Sequence, residues 1–96
     1  MISKTDLHRR RQEILAVATR RGASDVRIFG SVARGDANES SDVDLVVRFE
    51  PSRTLLDHAG LIGDLEDLLG VKVDVIDADG MGPRFRAVVE KEALTL

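Results

Sequence analysis

The segment from Asp42 to Phe49 sets most of what this chain can become. Along an extended backbone, Val43, Leu45, Val47 and Phe49 fall on one side, and Asp42, Asp44, Val46 and Arg48 on the other. A period of two marks a β-strand with one face against a core. A lone strand leaves its backbone N–H and C=O groups unpaired, so partner strands must come from elsewhere in the 96 residues. Two segments qualify. Val26–Phe29 is short and apolar and runs into Gly30-Ser31. Val71–Ile76 puts Val71, Val73 and Val75 on one face and Lys72, Asp74 and Ile76 on the other.

Helical spacing fills the intervals. Thr5 to Arg21 reads as one helix, with Leu7, Ile14, Leu15, Val17 and Ala18 as a rough apolar stripe and Gly22 at its C-terminal stop. Val32-Ala33-Arg34 makes a short helix before Gly35-Asp36, and Ala37–Ser41 is a polar loop. A longer helix follows Pro51, with Ser52 or Thr54 as N-cap, and ends at Leu69 before Gly70. Its buried stripe is expected at Leu55, Ala59, Ile62, Leu65 and Leu69. Gly60 and Gly63 inside it each cost up to about 1 kcal/mol relative to alanine, and close packing would be their justification. A last helix starts near Pro83, a favourable first helical residue, and carries Phe85, Val88 and Val89 to about Glu90. The expectation is one α/β (α+β) domain over residues 1–96: a small mixed sheet of about three strands with helices packed against it.

Composition narrows the function classes. Hydrophobic residues make up 43%, enough for a core and against disorder. Fourteen basic residues stand against 17 acidic ones, a net charge of −3, so a dedicated nucleic-acid binder is not expected. Six of the basic residues lie within residues 1–21, against only Asp6 and Glu13. The Arg9-Arg10-Arg11 run reads as a solvated helix face or as a dock for an acidic partner or RNA. Trp and Tyr are absent, and Phe29, Phe49 and Phe85 are the only aromatics, which disfavours binding single-stranded nucleic acid by base stacking. Without cysteine there is no disulfide and no thiolate zinc site, and a reducing compartment fits. No signal peptide is evident, and no apolar run approaches the roughly 18 residues of a membrane span. The chain is therefore expected to be cytoplasmic and to leave membranes alone.

The acidic residues carry the chemistry. Asp42 and Asp44 leave the same strand face with Cα atoms about 6.5 Å apart at roughly 3.3 Å per residue. Such a pair reads either as a solvated strand edge or as ligands for a divalent cation that offsets their repulsion. Oxygen-only ligands suit magnesium or manganese. Asp74 alone reads as an edge-strand surface residue. If its strand neighbours that of Asp44, three carboxylates meet, a set able to hold two metals roughly 3.5–4 Å apart for phosphoryl or nucleotidyl transfer. Gly30 lets the backbone approach a ligand, and the helix opening at Ser31 has free N–H groups that favour phosphate; the plainer reading makes Ser31 an ordinary N-cap. Arg34 either touches phosphate or pairs with Asp36 or Asp42. His8 and His58 read as structural.

Together, Gly30-Ser31, ten intervening residues and Asp42-x-Asp44 give Gly-Ser-x10-Asp-x-Asp. This pattern resembles the signature of the nucleotidyltransferase superfamily that includes DNA polymerase beta and kanamycin nucleotidyltransferase. Phe29-Gly-Ser-Val-Ala-Arg-Gly-Asp36 and Ser41-Asp-Val-Asp-Leu-Val-Val47 resemble its smallest branch, the minimal nucleotidyltransferase (MNT) domains paired with HEPN-domain proteins in toxin–antitoxin systems. Leu69-Gly-Val-Lys-Val-Asp-Val-Ile76 is similar to the strand bearing that family's third acid. The resemblance implies a nucleotidyltransferase fold. It also implies that Gly30 and Ser31 hold the β and γ phosphates of ATP, that Asp42 and Asp44 bind two Mg2+ ions, and that Asp74 binds the catalytic one and helps draw a proton from the attacking hydroxyl.

The function it implies is protein adenylyltransfer: an antitoxin moving AMP from ATP to a tyrosine of a cognate HEPN toxin. A neighbouring gene for a small helical protein with an Arg-x4–6-His motif would fit. Homo- or hetero-oligomers are both open. One alternative is an antitoxin that neutralises its toxin by binding alone, which the complete set of carboxylates disfavours. Another is small-molecule modification of the antibiotic type, disfavoured because 96 residues leave no second domain to shape a drug pocket.

Overall fold

In the computed structural model, which describes residues 2–96, the alternating segment is strand β2 (Val43–Phe49). It lies between β3 (Val73–Asp77), to which it runs parallel, and β1 (Ala23–Phe29), to which it runs antiparallel. A fourth strand, β4 (Leu94–Thr95), adds antiparallel to β1, so the mixed sheet has the order β3-β2-β1-β4. The expected count of about three strands is thus one short. A two-residue strand has no room to display an alternating pattern, and Leu94 and Thr95 pair with Ile28 and Arg27 only through the tertiary fold.

The other departures have physical causes too. The first helix is two: α1 (Lys4–Arg9) and α2 (Arg11–Arg20), broken at Arg10 with φ −100° and ψ 17°. The Arg10 guanidinium donates to the Leu68 carbonyl at 2.7 Å. That acceptor lies in the last turn of α4 (Leu55–Leu69), where carbonyls lack intrahelical donors. Strand β1 begins three residues before Val26, because a register shift between Ser24 and Arg27 interrupts its period of two. Asp25 there has φ 51°.

In α4 the cap is Thr54, and the buried stripe is Leu61, Leu65 and Leu69, with Ile62 half-buried. Leu55 and Ala59 face solvent instead. Leu55 sits six residues before Leu61, about 240° around a helix of 3.6 residues per turn, so the two cannot share a face. Gly60 gives way to the Arg21 guanidinium, whereas a side chain at Gly63 would meet open space.

One sheet face, with Val26, Ile28, Val43, Leu45, Val47, Val73 and Val75, packs against α1, α2 and α4 through Leu7, Ile14, Val17, Leu61 and Leu65. On the opposite face Val46 packs with Ala78 and with Val89 of α5 (Pro83–Glu92), and Phe29 and Ile76 border them. The outer edge of β3 is closed by α4 side chains. Glu66 accepts from the Val73 N–H at 3.1 Å, and His58 Nε2 donates to the Val75 carbonyl at 2.7 Å. These two side chains occupy part of the edge that another strand would pair with. Among the described residues no helix is long and apolar enough to cross a membrane.

Candidate active site

Strand register builds the site. Asp44 of β2 is the Cα partner of Asp74 on β3 and of Phe29 on β1. Directly paired residues point the same way, so Asp74, Asp44 and Phe29 form one row across three strands. At about 4.8 Å per strand the row is roughly 10 Å long. It lies on the sheet face away from the main core, because Val43 and Leu45 on either side of Asp44 point into that core. Asp42, just before β2, shares the face of Asp44 by alternation and is exposed; Asp44 is half-buried and Asp74 exposed.

The charges feel one another. Burial raises the pKa of Asp44, and the nearby Asp74 and Asp42 carboxylates raise it further, while Arg34 opposes them. Among the described residues, no three acidic or histidine side chains are gathered about one point as a metal cage. Mutual repulsion favours rotamers that keep the carboxylates apart. The donors still suit a hard cation: they are all oxygen, they sit on adjacent strands, and positive charge between them would relieve the repulsion.

Gly30 is fixed by this row. It is buried, its φ is +69°, and a Cβ placed on it would collide with the Asp44 carboxylate. Only glycine lets the chain turn from β1 into the short helix α3 (Gly30–Arg34) so close to that acid. The cap of α3 is Phe29, whose side chain makes no capping bond. Ser31 is therefore inside the helix and is not its N-cap. The first N–H groups of α3 have no intrahelical partner and border the acid row. Arg34 pairs with Asp36 at 3.2 Å, one of the two arrangements expected for it. The structure thus sets Gly30 against Asp44 and Asp44 opposite Asp74, with Ser31 and Asp42 close by along the chain and Arg34 turned to Asp36, while among the described residues the three carboxylates are not gathered about a single point.

Sequence reasoning did not find the aromatic end of the row. The Phe29 ring meets Phe85 of α5 edge-on, centroids 5.6 Å apart, and this contact seats α5 beside α3. The available signal was scarcity, since these are two of only three aromatics. His8 is exposed on α1, away from the row, and His58 is engaged at the β3 edge.

Comparison with known proteins supplies independent findings. Residues 11–95 match the model of the nucleotidyltransferase domain family. The protein adenylyltransferase MntA of Thermococcus cleftensis is 46% identical over 73 residues, covering 76% of this chain and 74% of the relative. A solved structure provisionally described as a minimal nucleotidyltransferase superposes with a TM-score of 0.88 at 52% identity, covering 99% of this chain and 97% of the other. A crystal structure of a toxin–antitoxin with AMP-PNP shares the fold, with a TM-score of 0.76 at 19% identity over 88% of this chain and 69% of that one.

Proposed function

The chain belongs to the nucleotidyltransferase domain family, and from that premise we propose that it is a protein adenylyltransferase acting as the antitoxin of a toxin–antitoxin pair. The observation that carries the reading is the juxtaposition of Gly30 with Asp44 and of Asp44 with Asp74. The glycine turn into α3 lies beside paired carboxylates on one open face, which supports the reading. The likeness to MntA supports a protein acceptor, and the toxin–antitoxin fold relative supports a toxin as that acceptor.

Each residue then has a role. The α3 N–H groups at Gly30 and Ser31, with the Ser31 hydroxyl, hold the β and γ phosphates of ATP and align the triphosphate over the row. Asp42, Asp44 and Asp74 would hold two magnesium ions, whose charge stabilises the triphosphate as negative charge shifts towards pyrophosphate. Asp74 accepts the proton of the attacking hydroxyl. That oxygen forms a bond to the α-phosphorus, the bond from the α-phosphorus to the bridging oxygen breaks, and pyrophosphate leaves. Positioning and charge do most of the work in such a transfer.

These 96 residues contain no tyrosine, which fits an acceptor tyrosine on a partner protein; a HEPN toxin is the proposed one. The test is to incubate the chain with the product of the adjoining gene, ATP and magnesium, and to measure intact masses of both. The expected result is an AMP-sized increase on the partner alone, lost in Asp42→Asn and in Asp74→Asn. A partner that is inhibited stoichiometrically without any mass change would replace catalysis by occlusion.

A further inference from the structure

Phe85 is 40% exposed and Val88, one helical turn on, 44%, although α5 is anchored at both ends. The Arg86 N–H donates to the Gly82 carbonyl at 2.9 Å, the Ala93 N–H donates to the Val89 carbonyl at 2.7 Å, and Val89 between them is fully buried. Fraying therefore does not account for the exposure. Phe29 fixes where the exposed ring stands. It ends the row Asp74–Asp44–Phe29, and its ring meets that of Phe85. Asp44 and Phe29 are one interstrand spacing apart, about 4.8 Å, and the Phe85 ring lies one further step of 5.6 Å away. The two rings meet at 85°, edge to face. Whichever ring presents its edge, Phe85 keeps at least one face that Phe29 does not occupy, and solvent reaches it. The third aromatic, Phe49, is engaged with His58, centroids 5.3 Å apart, and lies five residues along β2 from Asp44, about 16 Å at roughly 3.3 Å per residue.

We propose that Phe85 is the stacking platform for the nucleobase of a nucleoside triphosphate bound at the acid row. The proposal rests on the nucleotidyltransfer reading of that row and adds what the reading lacks, a surface for the base. The carboxylates and the turn into α3 deal only with the charged end of a nucleotide. A base is flat and presents a π face, so it gains from a ring that shields it from water. On this side of the sheet the acid row is polar, and α5 rises beside it with Phe85 and Val88 partly bare. Binding a nucleic-acid strand by stacking takes a series of rings, which this chain lacks, whereas one ring serves one base. Stacking works with every base, because each has a π face. The Phe85 ring therefore supplies affinity for nucleosides without selecting adenine.

Titration calorimetry in magnesium, without an acceptor protein, tests the proposal with ATP and inorganic triphosphate as paired probes. The wild type should bind ATP more tightly than triphosphate. Phe85→Ala should weaken ATP binding by about 5- to 150-fold, the range that loss of a stacking ring costs, and leave triphosphate binding unchanged. Phe85→Leu, which keeps an apolar contact with Phe29, should show the same selective loss. Phe85→Trp should retain ATP affinity. Its indole would be the only one in the chain, and ATP should quench its fluorescence while triphosphate does not. Equal loss of both probes in Phe85→Leu would mean that the ring only supports the packing of α5 on Phe29, and would overturn the proposal. Unchanged ATP affinity in Phe85→Ala would overturn it as well, including the case in which the ring serves the acceptor protein and only the acceptor's KM rises. Triphosphate bound as tightly as ATP by the wild type would overturn this proposal and leave the nucleotidyltransfer reading standing. Failure of both probes to bind would remove the two together.

Discussion

At the scale of single residues, Gly30 is the most constrained position. It needs a positive φ and has the Asp44 carboxylate where a Cβ would go. Gly30→Ala is therefore expected to cost about 1–3 kcal/mol, the usual range for strained backbone, and to weaken ATP binding together with stability. Urea unfolding and calorimetric titration with ATP and magnesium would measure the two effects. Asp44 makes a contrasting case. Its pKa is raised by burial and by Asp74 and Asp42, so in the metal-free chain the folded state holds its proton more tightly than the unfolded state does. The stability this contributes is complete below the ordinary carboxylate range and is lost as pH rises through the raised value. Melting temperatures followed upwards from acidic pH in a chelating buffer should contain this loss, and Asp44→Asn should remove it. The same substitution should abolish transfer while leaving the metal-free fold as stable as the wild type or more so. Transfer at the wild-type rate by Asp44→Asn would show that the acid has been given the wrong role.

At the scale of elements, the strands that carry the acid row were legible because their patterns are local. Asp42–Phe49 alternates in any context, and the spacing from Gly30-Ser31 to Asp42-x-Asp44 is a property of the chain. What could not be read depended on contacts far apart in sequence. The break at Arg10 answers a carbonyl at Leu68, and β4 exists only because β1 has an edge to offer. The phase error in α4 has the same origin, since Leu55 and Ala59 are apolar but the sheet meets the side of Leu61. Among the candidate site residues, the facing of Asp44 and Asp74 waited on strand order, and the ion pair of Arg34 with Asp36 on the turn after α3. His58 was read as structural, and its bond to Val75 supplies a specific reason. His58→Ala would leave a half-buried carbonyl on the β3 edge without its donor. An expected cost of about 1–3 kcal/mol follows from the price of an unsatisfied polar group, and amide exchange should quicken along β3 more than along β1. Thr54→Ala should cost about 1 kcal/mol through the lost helix cap. Unchanged melting in both variants would mean that α4 is held by its apolar stripe alone.

At the scale of the whole molecule, the two sheet faces divide the labour. One is buried under three helices and supplies the core. The other is only partly covered by α5, which leaves the acid row beside the glycine turn. The central claim is that this open face transfers a nucleotidyl group, and the fate of the α-phosphate tests it most directly. The chain would be incubated with its acceptor protein and magnesium, once with ATP radiolabelled at the α-phosphate and once with ATP labelled at the γ-phosphate. The acceptor should take up the α label, pyrophosphate should appear in equal amount, and Asp74→Asn should abolish both. Incorporation of the γ label, or release of phosphate in place of pyrophosphate, would contradict nucleotidyl transfer at this site.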